Sequence, residues 1–167
     1  MRTVKCLAWR RTSARPWAIV VTNKFRVVVI GLNHYHVTGW VESLAGFGDR
    51  IEFVGRYDPD PLREELAGPD HADPHLSPHF PAWFSEVPFY SDLNSLIAGQ
   101  RPDIALVTLS NADAPDAIET LGRAGVHLLV DKPGARTASE AQQAFGIARA
   151  AGVKVAVGLT RRYGQAW

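Results

Sequence analysis

Short apolar runs recur along the chain, and most are followed by a stretch whose apolar positions return every third or fourth residue. The first run, FRVVVI at residues 25–30, has no polar alternation beyond Arg26 and reads as a strand buried on both faces. Gly31 follows, and the spacing predicts a helix over 35–47 and a second strand over 50–58 that ends on Asp58. A short helix is expected over 62–66. The proline-bearing stretch 68–88 reads as irregular, held to the core by Trp83 and Phe84. An edge strand over 87–90 leads to Asp92, which can cap a helix over 93–98. Residues 103–109 repeat the buried-strand pattern, and Asp113 starts a helix over 114–124 that stops at Gly125. A strand over 127–130 ends at Asp131, Lys132 and Pro133. Ser139 precedes a helix reaching Ala151, Gly152 stops it, and residues 153–157 form the next strand. Strands alternating with helices over short loops predict a doubly wound α/β domain over residues 24–158. Its parallel sheet should have about six strands in the order 3-2-1-4-5-6.

Composition changes the picture in two places. A single cysteine, Cys6, rules out an internal disulfide and suits a reducing, cytoplasmic setting. The net charge of +1 conceals an asymmetry: residues 1–26 hold seven basic side chains and no acid. The rest carries eleven bases against seventeen acids, which argues against a nucleic-acid surface. No apolar run reaches membrane-spanning length. Arg10 and Arg11 before the short apolar segment 17–21 faintly resemble a targeting peptide, but no cleavage site follows. Residues 1–23 are therefore expected to be a basic, disordered arm that packs little against the sheet, or sequence upstream of the natural start.

The candidate chemistry falls at the carboxyl ends of the predicted strands, where open α/β sheets bind ligands. Gly31-Leu32-Asn33-His34-Tyr35-His36 stands where a Gly-x-Gly-x-x-Gly phosphate loop would, with only the first glycine kept. Asn33 tolerates positive φ and is expected to stand in for the second glycine, while His36 replaces the third. Asp58 lies 27 positions after Gly31 and can accept hydrogen bonds from both adenosine-ribose hydroxyls, which favours NAD over NADP. Asp58-Pro-Asp-Pro is equally good turn chemistry, and Arg56 and Arg63 leave NADP open. Ser110, Asn111, Asp131 and Lys132 complete the set of strand-end polar residues. Lys132 could bond ribose hydroxyls and a substrate oxygen and assist proton movement, or simply point at water. His71, His75 and His79 repeat every fourth residue, but the prolines around them oppose a helix, so no metal site is expected.

The stretch 107–141 resembles the Gfo/Idh/MocA family, named for glucose–fructose oxidoreductase and inositol dehydrogenase. Asn111, Gly125, His127, Lys132 and Pro133 match its asparagine, glycine–histidine and lysine–proline motifs, with Asp131 in place of glutamate. Residues 158–163 resemble the segment where that family leaves its nucleotide domain. The departures are the absent glycines at 33 and 36, and Ala114 where the family often has histidine. The resemblance implies an NAD(P)-dependent oxidoreductase acting on a sugar, polyol or related hydroxyl substrate. It implies cofactor contacts from Gly31, Asn33, His34, Tyr35, Asp58, Ser110, Asn111, Asp131, Lys132, Pro133 and Arg162, with Lys132 also catalytic. It further implies a second α/β domain, absent from these residues, that carries the substrate pocket, the oligomer interface and an aspartate–histidine pair. Residues 159–167 would begin the connection to it, and the chain alone is expected to be catalytically incomplete. A free-standing, non-catalytic dinucleotide-binding or regulatory module is the alternative.

Overall fold

A computed structural model describes residues 24–66 and 80–159. The expectations about the arm 1–23, the three histidines at 71, 75 and 79, Arg162 and the closing connection lie outside the described residues. Six strands form one sheet: β1 (Phe25–Ile30), β2 (Ile51–Tyr57), β3 (Phe89–Tyr90), β4 (Ile104–Val107), β5 (His127–Asp131) and β6 (Val155–Gly158). Every neighbouring pair is parallel and the order is β3-β2-β1-β4-β5-β6, as the strand–helix alternation predicts.

The sheet has a core on each face, and β1 feeds both. Val28 and Ile30 point into one core, shared with α3 (Leu93–Gln100), α4 (Ala114–Arg123) and α5 (Ala138–Ala150). Val29 points the other way, onto Val37 and Val41 of α1 (His36–Ala45) and onto Phe80 and Phe84. Period-two alternation with both faces apolar explains why this strand reads as a continuous hydrophobic run. The short α2 (Arg63–Leu66) follows β2. Part of the stretch expected to be irregular is a 3-10 helix, Ala82–Glu86, started by Pro81. Its Phe84 is fully buried and stacks on Phe80 at 4.7 Å, while Trp83 leans on Phe53 at 5.4 Å and stays partly exposed.

The termini of the helices show which residues set them. Asp92 caps α3 as expected, accepting the Ser95 N–H at 2.7 Å. Gly125, with φ +79, closes α4. The start of α5 differs from expectation: Thr137, not Ser139, is the cap, and its hydroxyl accepts the Glu140 N–H. Thr137 is extended, whereas Ser139 already sits in the first turn, and Glu140 reaches back to accept the Arg136 N–H at 3.0 Å. That is a capping arrangement read from Thr-x-x-Glu. Asp113 precedes α4 but makes no capping bond; its carboxylate instead accepts the Ser110 hydroxyl at 2.6 Å.

Candidate functional site

The sheet's crossovers change face between β1 and β4, so the loops after these two strands diverge and leave a crevice. Gly31 makes the crevice possible. Its φ is +94, and a Cβ there would lie 2.5 Å from the Leu109 backbone nitrogen. Only glycine lets the two strand ends pass this closely. Thr108 stitches them together, its buried hydroxyl donating to the Gly31 carbonyl at 2.6 Å. The sequence reading missed Thr108; a lone hydroxyl ending an apolar strand was the available signal.

The crevice opens into a pocket of about 270 Å³ lined by Gly31, Asn33, His34, Asp58, Thr108, Ser110 and Asp113, among others. The structure thus brings five of the expected residues together: Gly31, Asn33, His34, Asp58 and Ser110. Asn111 and Pro133 are exposed and line none of its walls. Tyr35, 71% exposed, stacks on His34 at 4.7 Å and lines a separate surface hollow with His36 and Trp40. Asn33 does not serve as a substitute glycine in the expected way: among the described residues, Arg101 is the one non-glycine with positive φ. The loop turns on Gly31 alone, so no second left-handed residue is needed.

Asp58 is 5% exposed and holds the loop in shape. One of its oxygens accepts the Leu32 N–H at 2.8 Å and the other the Asp60 N–H at 3.1 Å. Burial pushes its carboxyl above the usual aspartate range, and these two bonds pull against that shift. Arg56 is turned away from the pocket: its guanidinium is buried and donates to the Val87 and Ser85 carbonyls. Arg63 does line the pocket, but its nitrogen lies 3.5 Å from the Asp60 carboxylate.

The start of α1 supplies the donors an anionic cofactor needs. The Val37 N–H is taken by the His34 carbonyl, and the His36 N–H by the His34 ring at 3.2 Å. The N–H groups of Asn33, His34 and Tyr35 have no acceptor among the described residues. Three free amides before a helix suit a pyrophosphate. His36, which stands where a third glycine would, does not disturb the packing of α1, because Val37 and Val41 face the sheet. Its ring goes sideways to Asp131, with Nδ1 3.0 Å from the carboxylate. The Trp40 indole also donates to Asp131, at 3.4 Å. Donor atoms of His34, His36 and Asp131 lie within 4.8 Å of one another, a spacing a metal ion could bridge. Each is already engaged within the cluster, which therefore reads as a hydrogen-bonded set.

Residues 25–159 match the family model of an oxidoreductase family with an NAD-binding Rossmann fold, GFO_IDH_MocA. The chain belongs to this family. Solved structures agree on the fold. The WlbA dehydrogenase from Bordetella pertussis, in complex with NADH and UDP-GlcNAcA, superposes with a TM-score of 0.69 at 20% identity. That match covers 85% of this chain and 39% of the other. The dehydrogenase MviM from Clostridium difficile gives 0.65 at 22% identity, over 84% of this chain and 41% of the other. The chain therefore spans roughly two-fifths of the length of these structures. The free amides, the glycine cradle and the strand-end carboxylate of the crevice are groups that fit a dinucleotide. No helix among the described residues is long and apolar enough to cross a membrane.

Proposed function

We propose that this domain presents NAD(H) for hydride transfer to or from a sugar, polyol or related hydroxyl-bearing substrate in the cytoplasm. The observation that carries the reading is the pocket between β1 and β4, walled by Gly31 and Asp58 and opening beside the free amides of residues 33–35. The nicotinamide supplies the hydride chemistry. The chain's own residues bind and orient: the α1 amides take the pyrophosphate, and the β2 end takes the adenosine ribose. Lys132, exposed just after β5, bonds a ribose hydroxyl and a substrate oxygen and steadies its proton. The WlbA structures are complexes with NADH and UDP-GlcNAcA, which supports a sugar-derived substrate. Oligomerisation belongs to the same proposal, as the resemblance implies.

The charges around the pocket support NAD over NADP. Asp58, Asp60 and Asp113 line it, Arg56 is committed elsewhere, and Arg63 faces Asp60. A 2′-phosphate would meet three carboxylates there, with Arg63 shared with Asp60. Titration by nicotinamide fluorescence should therefore show NADH bound more tightly than NADPH. Asp58→Ala should weaken NADH by about 1–3 kcal/mol, since it removes a charged acceptor and orphans the Leu32 N–H. A preference of the unmodified chain for NADPH would refute the cofactor assignment.

A further inference from the structure

Asp131 is the last residue of β5 and the neighbour of Lys132, and its carboxylate is almost wholly buried. A buried carboxylate needs partners, and its two hydrogen bonds among the described residues come from α1: His36 Nδ1 on one oxygen and Trp40 Nε1 on the other. The acceptor is a carboxylate, so His36 carries its proton on Nδ1. On the far side of Lys132, Gly134 is wedged against the strand: a Cβ there would lie 2.8 Å from Val130 Cγ1. The turn that carries Lys132 is thus pinned on both sides, and only the lysine's flexible stem remains free. Asp131 Oδ2 also lies 3.7 Å from His34 Nδ1, and His34 lines the pocket between β1 and β4.

We propose that His36 and Trp40 are positioning residues for Lys132: by clamping Asp131, they fix the lysine's height above the nicotinamide end of the bound cofactor. The clamp makes the phosphate loop and the lysine turn one rigid unit. The helix that takes the pyrophosphate at its N-terminus sets, one turn further on, where the lysine stands. This rests on the reading of the site as a dinucleotide pocket with Lys132 at the nicotinamide ribose.

NADH reaches Lys132, whereas ADP ends at the pyrophosphate, so the two ligands separate the clamp from the rest of the site. In the full chain, His36→Ala and Asp131→Asn should each weaken NADH about tenfold, matching Lys132→Ala, with ADP affinity changed less than about twofold. The double variant His36→Ala/Lys132→Ala should bind NADH no worse than Lys132→Ala alone, because the two act through one contact. His36→Asn places an amide N–H where Nδ1–H was and should restore most of the affinity; it also keeps the test open if the alanine variant melts. Equal losses of ADP and NADH would reduce the clamp to a structural brace and overturn the proposal. So would additive losses in the double variant, or NADH binding unchanged by His36→Ala. Failure of the unmodified chain to bind either ligand would instead overturn the dinucleotide reading, and the clamp with it.

Discussion

His34 is the side chain whose state the site makes most specific. Its Nδ1 accepts the His36 N–H, which requires a neutral ring protonated on Nε2. Burial holds its pKa below the ordinary 6.5; the nearby charges of His36 and Lys132 add to the depression, and Asp131 opposes it. A histidine with a depressed pKa in the fold stabilises the fold above its unfolded value and loses that contribution as pH falls through the folded one. In an NMR titration, His34 should therefore have its midpoint below 6.5, with the His36 amide shifting in step. Lys132→Ala should raise that midpoint and Asp131→Asn should lower it further. A midpoint above 6.5 would show that burial does not govern this ring and would contradict its role as acceptor of the His36 N–H. Little of this was legible in the sequence. Residue type announced Gly31, Asp58 and Lys132, each tied to a known backbone or charge requirement. His36 and Trp40 lie about ninety residues from Asp131, and only the sheet brings them together.

Among the elements, the β1–α1 turn has the least room to change. Alanine at Gly31 would face two costs, a positive φ of +94 and a backbone atom 2.5 Å from its Cβ. Backbone cannot rotate aside as a side chain can, so Gly31→Ala should cost about 2–5 kcal/mol in urea unfolding. Gly125 is the control: it has φ +79 but nothing within 4 Å of its would-be Cβ. Gly125→Ala should cost only about 1 kcal/mol, the conformational part alone. Equal losses at the two positions would mean that the close approach of β1 to β4 is not what selects glycine. The elements themselves were legible, because apolar runs and glycine stops are local signals. The misreadings came from choices that local sequence leaves open. Thr137 and Ser139 are both good caps, and only the chain's path out of the turn selects Thr137. Asn33 can adopt positive φ, but the turn is complete without it.

For the whole molecule, the strand order and the switch point followed from parallel pairing and right-handed crossovers, with no knowledge of side-chain contacts. Substrate recognition was not legible at this scale, because it depends on what faces the carboxyl edge of the sheet. Lys132 is exposed there, so water screens its charge and leaves a substrate unoriented. The 167-residue chain should therefore bind NAD(H) yet give no sustained change in nicotinamide absorbance with sugars or polyols. Lys132-dependent turnover by this chain would place a proton acceptor within these residues. The central claim, that the β1–β4 crevice is the dinucleotide site, is tested most directly by following backbone amide shifts as NADH is added to the chain. Saturable shifts should centre on Gly31, Leu32, Asn33, His34, Tyr35 and Ser110 and leave the Phe47 and Trp83 region still. Shifts centred elsewhere, or none at all, would contradict the account.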